Sequence, residues 1–138
     1  MTRLVGLYRE PEYSPGLHRS NDRILLDRVA DQLRGRGFHV ETTTIDKADG
    51  GARRATLVFS MCQGRAALDM LDRLAQDGTG VVNTPLGSLN TYRERLTALL
   101  RGAGIRFPPT WIVSTGRDQA ADVDLDGGLW VKIGRAHV

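Results

Sequence analysis

One cysteine, two lysines and no apolar run of membrane-spanning length are what this 138-residue chain has least of. A lone Cys62 rules out an internal disulfide, which excludes the disulfide-stapled class of small secreted domain and fits a reducing compartment. No stretch approaches the roughly 20 apolar residues that a bilayer-crossing helix needs. The opening MTRLVGLYREPEY is too short in apolar residues for a secretory signal. These absences predict a cytoplasmic protein without a membrane partner. A basic stripe is missing too. The formal charge is +3, but arginines are scattered one or two at a time among acids, as in Asp22-Arg23, Asp27-Arg28 and Asp72-Arg73. A nucleic-acid face must neutralise many phosphates along one surface, so no nucleic-acid partner is expected.

What is present suits one ordinary domain, or a small domain with part of another. Hydrophobic residues make up 41% of the chain and charged residues 25%, enough for a buried core under a soluble-type surface. Arginine outnumbers lysine 17 to two, the lysines being Lys47 and Lys132. A lysine kept on an apolar strand in such a sequence suggests a need for a compact ammonium charge, and Lys132 is in that position.

Taken in order, Arg3 to Tyr8 is a short apolar run suited to a buried strand. Glu10 to Arg19, with Pro11, Pro15 and Gly16, reads as a loop. Ser20 or Asn21 can cap a helix near 21–34 whose stripe is Leu25 or Leu26, Val29 and Leu33, stopped by Gly35 and Gly37. Residues 38–44 alternate and are β-branched, hence a strand. Residues 46–54 read as a loop and 55–60 as the clearest buried strand. Ala67, Leu68, Leu71, Leu74 and Ala75 then form an amphipathic helix near 65–77, ended by Gly78 and Gly80. A strand at 80–83 precedes a Pro/Gly loop through Leu89. Strands alternating with helices predict α/β architecture: a small Rossmann-like, mostly parallel sheet with flanking helices. Ligands in such sheets sit at the carboxyl ends of the strands, so three loops matter: residues 9–20 after the first strand, Cys62-Gln63-Gly64 after the third, and Asn83 to Leu89 after the fourth. No internal repeat is present.

Residues 80 to 113, GVVNTPLGSLNTYRERLTALLRGAGIRFPPTWIV, are the most specific part. A strand reaches Asn83; an amphipathic helix is expected at 90–101, capped near Asn90. Gly102-Ala103-Gly104 ends it, and Pro108-Pro109 leads to a strand at 110–114. A poor helix or linking loop follows, then Leu129-Trp130-Val131-Lys132 as a strand ending in lysine. This order resembles the seam of ATP-grasp ligases of the glutathione-synthetase-like type. Those ligases show an Asn-x-Pro loop, an Asp-Lys helix start, a Leu-Leu-x-x-Ala-Gly-Ile-Pro-x-Pro exit and a Val-Lys strand. Tyr92-Arg93 stands where the family has Asp-Lys. The resemblance implies a pre-ATP-grasp α/β domain at 1–88 and the opening helix and strands of an ATP-grasp domain at 89–132.

It also implies ATP and Mg²⁺ as cofactors, with the Mg²⁺ ligands beyond this chain, and small-molecule carboxylate and amine substrates. In such ligases ATP phosphorylates a carboxylate, and an amine or thiol attacks the acyl-phosphate. Lys132 and Arg93 are the residues implied to contact nucleotide phosphate. Each has a plainer reading: Lys132 as a solvated edge-strand lysine, and Arg93 with Arg95 as the wet side of a helix burying Tyr92, Leu96, Leu99, Leu100 and Ala103. His18 and Arg19, in the loop after the first strand, could hold an anionic substrate, but Ser20, Asn21 and Asp22 there also read as a polar loop with a helix cap. The loop lacks G-x-G-x-x-G, so no dinucleotide fingerprint is present. Asn83 is expected to fix the loop after the fourth strand and, secondarily, to touch substrate. Cys62 lacks a histidine partner in its surroundings and reads as a packed, inert thiol.

The closing Ile-Gly-Arg-Ala-His-Val matches one reading frame of a common sequencing adapter. Residues 133–138 are therefore expected to be a non-native tail on a truncated ligase gene, and the fragment to be inactive. From a different functional class, a stand-alone Rossmann-like or flavodoxin-like binding domain would fit the same strand and helix order.

Overall fold

The computed structural model describes residues 2–14, 18–48 and 51–112. Four strands make one all-parallel sheet: β1 (Arg3–Leu7), β2 (His39–Thr43), β3 (Leu57–Ser60) and β4 (Gly80–Val82), in the order β2-β1-β3-β4. Four α-helices accompany them: α1 (His18–Gly35), α2 (Arg65–Gln76), α3 (Pro85–Asn90) and α4 (Arg93–Gly102). The fold is α/β with helices flanking a small Rossmann-like sheet, as the alternation predicts.

Because side chains alternate along a strand, the sheet has two differently filled faces. Leu4, Val40 and Phe59 point to one face and pack with Leu26 and Ala30 of α1. Val5, Leu7 and Val58 point to the other and pack with Ala67, Leu68, Leu71 and Leu74 of α2. Ala48, Ala52 and Ala55 join this second cluster, so the β2–β3 connection covers the α2 face with two short 3₁₀ turns, Ile45–Lys47 and Ala52–Arg54. The residues read as a loop thus hold buried alanines, small enough for the backbone to lie close to the sheet. Gly6 has a matching role on the opposite face. A Cβ there would come within 2.7 Å of the Phe59 ring, so its absence lets that ring lie across β1.

Helix ends follow the glycines. Gly37, at φ 87°, closes α1 with Gly37 N–H donating to the Arg34 carbonyl at 2.9 Å and Phe38 N–H to the Leu33 carbonyl at 3.2 Å. Gly78 and Gly104 close α2 and α4 by the same pair of bonds.

Several expectations need correction. Helix α1 begins at His18, so His18 and Arg19 belong to its first turn rather than to the preceding loop, and Ser20 and Asn21 lie inside the helix instead of capping it. Its buried stripe is Leu26 and Ala30 with half-buried Leu33; Leu25 and Val29 are exposed, because on this face α1 is the helix packed with Leu4, Val40 and Phe59. Residues 83–89 are not all loop. Pro85 sits in the first turn of α3, Thr84 caps it, and Thr84 Oγ1 accepts from Gly87 N–H at 3.1 Å. That insertion moves the start of α4 from Asn90 to Arg93. Helix α4 does not bury the stripe assigned to it: Leu96 is 40% and Leu99 46% exposed, Ala103 is exposed, and Thr97 is buried. Thr110 to Ile112 form no strand; the rest of the expected strand at 110–114, the strand at 129–132 and the tail at 133–138 lie outside the described residues.

Candidate functional site

The strand order reverses beside β1. From β1 the chain moves to β2 on one side, then returns across to β3 on the other. Loops leaving the carboxyl ends of β1 and β3 therefore diverge and leave a crevice, the general ligand position in open α/β sheets. A cavity of about 470 Å³ lies there. Arg9 comes to it from β1, Ser60 to Gln63 from β3, and Asn83, Thr84, Gly87, Ser88 and Thr91 from the segment after β4. Most of these residues are polar, and one, Arg9, is a cation.

Arg9 is held by two of its three guanidinium nitrogens. Nε donates to the Met61 carbonyl at 3.2 Å, and Nη1 pairs with Asp22 Oδ2 at 3.1 Å. Asp22 Oδ2 also accepts from the buried Ser14 hydroxyl at 2.6 Å, which fixes the carboxylate. Nη2 has no partner among the described residues. With Nε and Nη1 both engaged, the guanidinium plane is fixed, and Nη2 between them is the donor left for a ligand with little further ordering to do.

Glu10, the next residue, is 8% exposed. Its carboxylate receives two backbone bonds from across the crevice: Gln63 N–H donates to Oε2 and Gly64 N–H to Oε1, both at 3.0 Å. Gly64 is the N-cap of α2 and Gln63 the residue before it, next to a helix start whose unpaired N–H groups and dipole favour negative charge. Gly64 is required by the arrangement, since a Cβ there would lie 2.8 Å from Glu10 Oε1 and 2.9 Å from the Tyr13 ring. The loop after β1 is thereby stapled to the loop after β3.

Cys62 is buried between them. Its thiol donates to the Tyr8 carbonyl at 3.3 Å, its N–H donates to Ser60 Oγ at 3.0 Å, and burial pushes the thiol up to about 11. A group held protonated so far above neutral pH is a poor nucleophile, in keeping with the inert reading. Asn83 sits at φ 59°, a left-handed conformation that asparagine tolerates better than most residues. Its Nδ2 donates to the Ser60 carbonyl at 2.7 Å, tying the ends of β3 and β4 together. Tyr92, at the start of α4, donates its hydroxyl to the Gln63 carbonyl. Burial raises its pKa, and the negative potential of Tyr13 and Glu10 adds to the shift. Tyr92 is thus a half-buried latch between α4 and the β3–α2 loop, rather than part of an α4 core.

A second polar group flanks the crevice at the ends of β1 and β2. Tyr8 donates to the Asp27 carboxylate, Thr42 Oγ1 lies 3.0 Å from the same hydroxyl, and the Arg23 guanidinium stands 5.1 Å over the ring. Burial is the main reason that the Tyr8 pKa is raised, with the Asp27 bond next.

Of the residues singled out in the sequence, Asn83 lines the cavity. Arg93 opens α4 and is exposed, outside the cavity lining. The side chains of His18 and Arg19, and all of Lys132, lie outside the described residues. Arg9 and Glu10 of the candidate site fall in the 9–20 loop expected to matter but are not singled out there, and Tyr92 reads as core in the sequence. Their signal was position: Arg-Glu directly after an apolar strand places two charges at its carboxyl end. Among the described residues no group of three or more His, Cys, Asp or Glu could hold a metal ion, and no helix is long and apolar enough to cross a membrane. The chain matches no protein-family model and no curated protein.

Proposed function

We propose that this segment is the substrate-binding α/β domain, with the start of the nucleotide-binding domain, of an ATP-dependent, ADP-forming carboxylate–amine or carboxylate–thiol ligase acting through an acyl-phosphate. The observation that carries the substrate-binding part is the cavity of polar residues at the point of strand-order reversal, with Arg9 anchored at its edge. The ligase part rests on the order of elements from Asn83 to Lys132. ATP and Mg²⁺ supply the phosphoryl transfer in that chemistry, and Arg93 and Lys132 are the residues that would face the phosphates. The residues around the crevice serve the other substrate. They bind and orient the small molecule and hold the loops around it in place.

The test is to express residues 1–132 continued in frame with the sequence that follows Lys132 at the source locus. ADP release should then depend on adding a carboxylate and an amine or thiol. Lys132→Ala should lower it on the order of a hundredfold or more, the scale of removing one preorganised charge partner in a transition state. Cys62→Ser should leave it nearly unchanged. An unaffected Lys132→Ala enzyme would remove the phosphate role from that lysine. A protein that bound small molecules but never released ADP would favour a binding module.

A further inference from the structure

Two anion-binding elements meet at the crevice, and one is already filled by the protein itself. The amides of Gln63 and Gly64, just before and at the N-cap of the 12-residue helix α2, are two donors that could otherwise meet a phosphate. Glu10 occupies both, from a buried position, and Gly64 leaves room for its carboxylate and for little else. Arg9, one residue earlier, keeps Nη2 for a ligand while Nε and Nη1 are engaged by Met61 and Asp22.

We propose that Glu10 is a charge-selecting residue: it bars phosphate from the Gln63 and Gly64 amides and leaves Arg9 to hold a carboxylate group of the substrate rather than a phosphate group. The proposal rests on the reading of the cavity as a substrate site and deepens it by naming the ligand's charge class. The physics is a count of donors and charges. A carboxylate needs few donors, and the Nη2 N–H groups of Arg9 can supply them. A phosphate near neutral pH carries up to two negative charges and three acceptor oxygens. The Gln63 and Gly64 amides are closed to it, and the carboxylate that closes them repels it at short range through a poorly screening interior. Asp22 already offsets part of the Arg9 charge, so a monoanion is matched better than a dianion.

The experiment uses the full 138-residue chain and two probes, butyrate and inorganic phosphate, titrated at neutral pH and read by amide and guanidinium NMR signals. Butyrate should shift the Arg9 Nε–H and Asn83 side-chain signals. Phosphate should leave the Gln63 and Gly64 amides unmoved in the native chain, and move both saturably in Glu10→Ala, with affinity at least roughly tenfold above native, the scale of gaining charge-assisted bonds. Phosphate that moves these amides equally in native chain and variant would overturn the selection role, as would a folded Glu10→Ala in which they stay silent. Should Glu10→Ala fail to fold, Glu10→Gln removes the charge at nearly constant size. A phosphate response at either amide then supports the proposal, and silence in the folded variant overturns it. The underlying reading fails separately, at other nuclei: butyrate that leaves Arg9 and Asn83 unmoved counts against the cavity as a substrate site.

Discussion

Helices α2 and α4 each carry leucines at helical spacing and end on the same glycine motif, the stripe of α2 being the stronger, yet they meet different fates. Helix α2 lays Ala67, Leu68, Leu71 and Leu74 on Val5, Leu7 and Val58, and these residues are almost wholly sealed from water. Helix α4 leaves Leu96 and Leu99 exposed and buries Thr97, whose hydroxyl bonds back to the Arg93 carbonyl at 2.7 Å. Beyond α4, Ile105, Phe107, Trp111 and Ile112 are exposed as well. The lesson is that an apolar stripe states what a helix can bury. Whether it does so depends on a neighbour with a complementary face. For α2 that neighbour is the sheet, whose strands alternate in step with it; α4 reaches the rest of the chain through α3 and the Tyr92 latch.

The sharpest way to break this comparison is to truncate one leucine on each helix. Leu71→Ala, at a position with 0% exposure, should lower the unfolding free energy by about 2–5 kcal/mol. Leu99→Ala should change it by about 0.5 kcal/mol or less. Urea denaturation of both variants measures the contrast. A similar loss at Leu99 would mean that α4 is covered as α2 is.

Alkaline pH should weaken the sheet half next. Cys62 is raised from 9.0 to about 11 by burial, so the folded state holds its proton more tightly than the unfolded state does. Stability should therefore be unaffected below pH 9 and fall as pH rises from about 9 to 11, by up to roughly 2–3 kcal/mol for that shift. Cys62→Ser should flatten that part of the profile. Tyr8 and Tyr92, also raised, would add a decline of the same sign at higher pH. Thermal melts from mildly to strongly alkaline pH decide the matter, and a flat profile in the native chain would show that the thiol is not sealed.

Substitution at the seam between the two regions should have a smaller effect of a similar kind. Gly64→Ala places a methyl 2.8 Å from Glu10 Oε1 and should cost about 1–3 kcal/mol while loosening the loop that Tyr92 also holds. Gly102→Ala, with nothing within 4 Å of its Cβ, should be close to neutral. Chemical denaturation of the pair tests it; equal effects would mean the Glu10 staple yields easily.

The smallest effect should come from the exposed ion group on β1 and β2. Glu41 accepts from Arg3 Nη2 at 2.9 Å, with His39 Nε2 3.2 Å away, and the Arg3 bond is the main cause of its lowered pKa. A depressed carboxylate stabilises above its unfolded pKa and loses that contribution as pH falls through the folded value. Solvent screening at this exposed site should keep the effect of Glu41→Gln on the unfolding free energy small. A loss at neutral pH as large as that of Gly64→Ala would show the pair to be shielded.

Local chemistry in the sequence determined much of this protein. Apolar runs of strand length, separated by helical periodicity, were enough for a parallel α/β sheet, and glycines after each stripe marked where α1, α2 and α4 stop. The inert character of Cys62 was legible from the lack of a partner nearby, and Asn83 from its place at the end of a strand. Helix α3 was legible too, in Thr84-Pro85, but the Pro/Gly composition of 83–89 obscured it. What tertiary structure alone decided is which groups meet at the candidate site. Arg9 and Glu10 sat in what read as loop, because periodicity describes the local backbone state and the face a residue prefers. It carries no information on which amides, 53 and 54 positions away, a carboxylate will meet once the strand order reverses. Tyr92 read as core for the same reason: its ring suits burial, and only the approach of the β3–α2 loop gave its hydroxyl a carbonyl to hold.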